Sequence, residues 1–351
     1  MSIQIIAAYL LILAASIGGV ELFRRWSLKR SLLDVPNERS SHSVPTPRGG
    51  GVIIFAVSIS ALIIFSYGGG RPFAWAYVFG ALIIVLISLW DDLRTISPFL
   101  RLFFHALAAA AVVWSLGGFE EIYLPLYGNL QLGSAGQVLA FLWIVWLINA
   151  YNFMDGIDGI AAVQAVSAGV AWSAAGKILG SEDVFFLGGV LACSSLGFLI
   201  LNWQPAKIFM GDVGSAFLGY SFAVLPLLAK NGVSDSAREP AMLWFAVIFV
   251  WFFVFDTILT FFTRLVRGER VWKPHREHIY QQMVIKGFSH ARVATLYGLL
   301  SAVLVGVSLY ALRASQMMEN LILGVILLET LLLVFLWQSV SRKNDRNIKR
   351  I

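Results

Sequence analysis

Charge is what this chain most lacks. Asp, Glu, Lys and Arg make up 13% of its 351 residues, where a soluble domain carries about 25%, so a solvated globule is excluded. Cysteine is nearly absent: Cys193 stands alone inside an apolar run, and no disulfide can form within the chain. Nothing in the sequence resembles a zinc site. The longest polar stretch, about residues 264–292, is too short for a soluble domain with its own core. Internal repeats are not evident. In place of these the chain carries apolar runs from end to end, several near the roughly 20 residues that cross a bilayer. Eleven are predicted as helices, at about 3–23, 51–67, 73–90, 99–116, 137–152, 159–176, 184–202, 213–229, 241–263, 293–312 and 320–339. Residues 1–351 therefore read as one all-α, polytopic integral membrane domain.

The first run is preceded only by Met1 and Ser2 and followed at once by Arg24 and Arg25. That is the charge order of a retained helix with its N-terminus outside, not of a cleaved signal peptide. Alternation from that start puts the C-terminus in the cytoplasm and 21 of the 26 Lys and Arg residues on inner segments. The outer loops keep five: Arg71, Lys177, Lys230, Arg238 and Arg313. This is a strong positive-inside signal, and a missed helix would scramble it downstream. Asp91, Asp92, Asp155, Asp158, Asp212 and four of the five histidines fall on the same inner side. The net charge of +6 needs no nucleic acid, because basic inner loops beside anionic lipid account for it.

Against that background the polar clusters stand out. NAYNFMDGIDG at 149–159 gathers Asn149, Asn152, Asp155 and Asp158 at the inner end of the apolar FLWIVWLI. On one continuous helix these would drift around the surface, whereas Gly156 and Gly159 predict a helix end near Asp155 and a turn that lets them converge. Alone, the segment reads equally as a capped helix end with solvated aspartates. FMGDVGS at 209–215 predicts a tight turn at Gly211 and a helix starting at Asp212, which by itself would be an N-cap. On the same face as two other aspartate clusters, Asp212 reads instead as a ligand for Mg²⁺ or Mn²⁺, which favour hard oxygen donors. Asp91 and Asp92 are either solvated or held beside a cation, in a short loop that also carries Arg94 and Arg101. The late loop places His275, Arg276 and His278 together, a grouping suited to gripping a diphosphate. The first inner loop adds His42, Arg48 and Gly49–Gly51, whose backbone suits either close ligand approach or a flexible hinge. Asp256, inside the ninth run, needs a partner.

Together these stretches resemble the polyprenyl-phosphate N-acetylhexosamine-1-phosphate transferase superfamily. The matching residues are Asp91-Asp92, NAYNFMDGIDG, FMGDVGS, PHREHIYQ at 274–281 and PTPRGGG at 45–51, over about residues 34–290. The resemblance implies a bacterial inner-membrane enzyme working at the cytoplasmic face, with a homodimer compatible. It implies that undecaprenyl phosphate attacks the β-phosphorus of a UDP-N-acetylhexosamine and that UMP leaves. By the same resemblance Asp212, helped by Asn152, would hold Mg²⁺. Asp155 and Asp158 would line the nucleotide site with Asn149, and Phe209 would stack on uracil. Asp91 and Asp92 would be lipid-phosphate or base residues. His278 would meet the diphosphate, with His42, Arg48, Arg101, His275 and Arg276 as further binding residues. RSSHSVPTPRGGG and PHREHIYQ look most like enzymes initiating O-antigen synthesis, with UDP-GlcNAc or UDP-FucNAc as donor.

The peptidoglycan translocase, which takes a muramyl-pentapeptide donor, carries three consecutive histidines where this chain reads PHREHIYQ, and that argues against such a donor. CDP-alcohol phosphotransferases need an arginine where Val163 stands, and their further aspartates are missing. A transporter would place its carboxylates near the midplane rather than at one surface.

Overall fold

The computed structural model describes residues 3–36, 44–69, 75–94, 96–124, 127–232, 240–270, 275–313 and 319–348. In chain order the elements are α1 (Ile3–Lys29), β1 (Leu33–Asp34), β2 (Thr46–Pro47), α2 (Gly51–Gly69), α3 (Trp75–Leu93), α4 (Pro98–Leu116), β3 (Glu121–Leu124), β4 (Gly128–Gln131) and α5 (Ala135–Phe153). There follow α6 (Ile160–Leu179), α7 (Glu182–Asn202), α8 (Asp212–Gly232), α9 (Met242–Phe249), α10 (Trp251–Val266), α11 (Ile279–Ile285), α12 (His290–Arg313) and α13 (Glu319–Ile348). The strands form two small antiparallel hairpins, β1–β2 and β3–β4, which the apolar pattern did not announce. Otherwise the chain is the expected all-α polytopic bundle.

Among the described residues, eight helices are long and apolar enough to cross a membrane, or nine with the bent pair α9 and α10. The sixth and eleventh apolar runs are also helical. However, α6 is diluted by alanine, serine and glycine, and the apolar part of α13, Leu323–Leu336, is short.

Helix α8 is the axis of the bundle, buried on every side from Val213 to Leu227. Helices α3 and α5 pack on it, and α6 and α7 form a tight pair beside them. A β-carbon added to Gly169 on α6 would lie 2.7 Å from the Ala192 nitrogen on α7, so small residues set that approach.

The predicted ninth helix, 241–263, is not continuous. It breaks at Val250 (φ −126°, ψ 24°), and α9 and α10 meet at 80°. Gln164 of α6 donates to the Phe249 carbonyl at 2.8 Å, satisfying a backbone acceptor freed by the break.

Candidate functional site

The site is assembled where the starts of α2 and α8 meet the end of α3. Backbone pairing does the first part of the work. The Phe209 N–H donates to the Pro47 carbonyl at 2.8 Å, and Gly49 and Gly50 donate to the Phe209 carbonyl at 3.1 and 3.0 Å. Gly51 donates to Met210 at 2.9 Å. Gly51 and Gly214 then touch backbone to backbone, since a β-carbon on Gly51 would lie 2.2 Å from the Gly214 Cα. The Gly49–Gly51 run is therefore a packed latch against FMGDVGS rather than a hinge. Gly211, at φ +78°, supplies the predicted turn into α8.

This latch brings two arginines onto three aspartates. The same Arg48 nitrogen lies 2.8 Å from Asp92 Oδ1 and 2.7 Å from Asp212 Oδ1. Arg101 on α4 bridges Asp91 Oδ2 at 2.8 Å and Asp212 Oδ2 at 3.0 Å. Asp91 also accepts the Ile96 N–H at 2.9 Å. Asp92 accepts the Asp212 and Val213 N–H groups at 3.3 and 3.4 Å, so it caps the positive end of α8 from another helix. Asp212 does not cap α8 with its side chain; both its oxygens face guanidinium groups. Replacing Arg48 by lysine keeps the charge but loses the planar fork. Arg48→Lys is expected to cost at least about 10-fold in activity, with protein still recovered folded from membranes, as measured by turnover per folded molecule.

Helix α5 ends at Phe153, within two residues of the expected position, and Asp155 follows in the turn. Burial, then the nearby Asp212 carboxylate, raise the proton affinity of Asp155 well above the ordinary carboxylate range; Arg48 opposes this. Asp155 thus belongs electrostatically to the same cluster. Asp158 is committed elsewhere: its carboxylate accepts the Ala206 N–H at 3.2 Å and lies 3.3 Å from His290 Nδ1. It ties the loop before Phe209 to the start of α12. Asn149 donates to Val145 on its own helix at 2.7 Å and lies against His105 of α4. Asn152 is half-buried, and its carbonyl accepts the Asp155 N–H at 3.2 Å.

In the late loop His278 is buried, with Nδ1 3.0 Å from Asp256 Oδ1. Asp256 thus has the partner its position demands. His275, with ring centroid 5.0 Å from that of His278, is pushed down to about 4 by burial and by the neighbouring His278 and Arg264. Arg276 is half-buried, and its carbonyl accepts from Gln282 at 2.6 Å. His42 lies outside the described residues.

Several supporting residues carried no sequence signal. Asn202 accepts the Gly159 N–H at 2.9 Å and donates to Ile208 at 2.9 Å, joining the two acidic turns. Tyr280 donates its hydroxyl to the Phe153 carbonyl at 2.9 Å, across 127 residues of sequence. His290 fell on the predicted inner side, but nothing marked it as the neighbour of Asp158.

Among the described residues no three His, Cys, Asp or Glu side chains are grouped as a self-sufficient metal cage. The donor set still fits Mg²⁺, which usually takes one or two carboxylates and completes its shell with water and substrate phosphate oxygens. Asp212 supplies a carboxylate and the half-buried Asn152 an amide oxygen, hard donors of the kind that requirement names.

Residues 74–230 match the family described as Glycosyl transferase family 4. A probable undecaprenyl-phosphate N-acetylglucosaminyl 1-phosphate transferase of Bacillus subtilis is 30% identical over 334 residues, covering 93% of this chain and 90% of the relative. The undecaprenyl-phosphate alpha-N-acetylglucosaminyl 1-phosphate transferase of Haemophilus influenzae is 31% identical over 286 residues, 78% of this chain and 77% of its own. A decaprenyl-phosphate N-acetylglucosaminephosphotransferase of Mycobacterium tuberculosis is 30% identical over 293 residues, 74% and 71% of the two chains.

Proposed function

Because this chain belongs to glycosyl transferase family 4, among the polyprenyl-phosphate N-acetylhexosamine-1-phosphate transferases, we propose that it transfers GlcNAc 1-phosphate from UDP-GlcNAc to undecaprenyl phosphate. The relatives' names favour GlcNAc over FucNAc. The product would be the lipid-linked sugar diphosphate that starts a cell-surface polysaccharide such as an O-antigen. The observation that carries this reading is the Arg48–Asp92–Asp212–Arg101–Asp91 network beside Asp155, a charge-alternating site at helix ends. The excess of basic residues on inner segments supports eleven spans and a cytoplasmic active site in a bacterial plasma membrane.

In this reading an oxygen of the lipid phosphate attacks the β-phosphorus of the donor. The bond from that phosphorus to the bridging oxygen breaks, and the electron pair leaves with UMP. A phosphomonoester with a second pKa near about 6 is largely dianionic at neutral pH, so Asp91 and Asp92 orient the acceptor and its counter-cation without having to remove a proton. Arg48 and Arg101 neutralise charge on the diphosphate, and Phe209 offers a face to uracil. Asp212 and Asn152 would hold Mg²⁺, which when bound supplies charge neutralisation of the phosphates. Asp158 would act indirectly, by fixing the loop that carries Phe209.

The test incubates membranes holding the protein with UDP-GlcNAc labelled in the sugar, Mg²⁺ and undecaprenyl phosphate. Label entering the lipid with release of UMP is expected. No transfer from any UDP-N-acetylhexosamine, by protein shown to be folded, would overturn the reading. Label uptake into sealed vesicles without UMP would indicate a transporter.

A further inference from the structure

We propose that Asp256 is a positioning residue that holds the His278 imidazole by Nδ1 and presents Nε2 to the donor diphosphate. This rests on the transferase reading above. Asp256 has no exposed surface, yet it lies on α10 in a largely apolar setting, where an isolated carboxylate is costly. Four donors converge on it from three directions. Its Oδ1 meets His278 Nδ1 at 3.0 Å, the Ile279 N–H at 3.1 Å and the Thr260 hydroxyl at 3.2 Å. Its Oδ2 accepts the Tyr297 hydroxyl of α12 at 3.3 Å.

The charged groups nearby do not compete for it. Arg264 spends its guanidinium on Glu269 and Glu277. His275 turns Nδ1 to the Glu277 N–H at 3.4 Å. The imidazole of His278 is thus the ring that pairs with Asp256 among the described residues. A second contact fixes the ring plane. Tyr280 stacks on His278 at 5.8 Å between centroids and 20° between planes, and its hydroxyl is held by the end of α5, two residues before Asp155.

A carboxylate on Nδ1 selects which ring nitrogen faces a substrate and favours the imidazolium when that nitrogen meets an anion. Among the described residues Nε2 of His278 has no hydrogen-bond partner, so it is the nitrogen open to a phosphoryl oxygen. A network serving packing alone would be satisfied by any pair of polar side chains. This one ends on the histidine of the PHREHIYQ stretch.

The experiment is a double-mutant cycle on full-length protein in nanodiscs, with Asp256→Asn, Asp256→Ala, His278→Gln and the Asp256→Ala/His278→Gln pair. Asp256→Ala is expected to lower kcat about 10–100-fold, with a smaller change in KM for UDP-GlcNAc. The double variant is expected to be no slower than His278→Gln. Asp256→Asn keeps the acceptors for Ile279 and Thr260 but not the charge, and is expected to be folded and intermediate in rate. Nitrogen-15 NMR of labelled histidine gives a readout independent of turnover. One Nδ1-bonded form of His278 is expected in the parent and a mixture of tautomers in Asp256→Ala. Losses that multiply in the double variant, or unchanged kcat and histidine spectrum in folded Asp256→Asn and Asp256→Ala, would overturn the proposal. A parent protein that makes no lipid product, but shows the single histidine form, would instead sink the transferase reading alone.

Discussion

Asp212→Ala is expected to lower sugar-phosphate transfer by about 10³-fold, the upper range for removing one preorganised electrostatic group, while the protein still inserts and purifies. Asp212 is the carboxylate on which both bridging arginines converge, one on each oxygen. Its loss leaves Arg48 and Arg101 without their shared anchor, and it removes the principal candidate ligand for Mg²⁺. Asp212→Asn keeps the hydrogen-bonding shape and separates the two effects. Its rate is expected to lie nearer the alanine variant, because the shape survives but the charge does not. The check is initial rate across a Mg²⁺ titration, with the melting temperature of each variant as a control for folding. Near-parental activity of Asp212→Ala at ordinary Mg²⁺ would remove Asp212 from the metal assignment.

Gly51→Ala is the second large effect, and it acts through the fold. The added β-carbon would meet the Gly214 Cα at 2.2 Å, the Gly214 nitrogen at 2.5 Å and the Met210 carbonyl oxygen at 3.0 Å. All three are backbone atoms, so no side chain can rotate to make room, and α2 must move away from α8. A loss of about 3 kcal/mol, the upper part of the overpacking range, is expected, read as a lower melting temperature and less folded protein. Activity should fall further than stability, because the shift parts Arg48 from Asp212. Gly68→Ala on the same helix is the control: nothing lies within 4 Å of its added carbon. If Gly51→Ala melts with the parent, the latch is not tight.

The helices were legible because apolar runs of spanning length have few other uses in a chain so poor in charge. The three acidic clusters were legible because carboxylates beside such runs are costly without a role. The bend at Val250 was not. Neither glycine nor proline marks it, and the compensation comes from Gln164, on another helix. Asp155 and Asp158 looked equivalent in DGIDG. Their environments divide them, and the groups that do so, Ala206 and His290, are 48 and 132 residues from Asp158. His275 and His278 likewise looked like a pair. Burial and the partner chosen by each ring separate them, and neither can be read from a spacing of three. Asp256 was readable as a carboxylate in need; which histidine answers it was not.

The Tyr280 hydroxyl on the Phe153 carbonyl has a consequence for redesign. The segment bearing His278 is stitched to the helix that delivers Asp155, and is bolted beneath by Asp256. Transplanting a homologous loop to change sugar preference would therefore carry only half of its socket. A workable graft would exchange Asp256, Tyr297 and the end of α5 along with it, treating them as one interchangeable cassette.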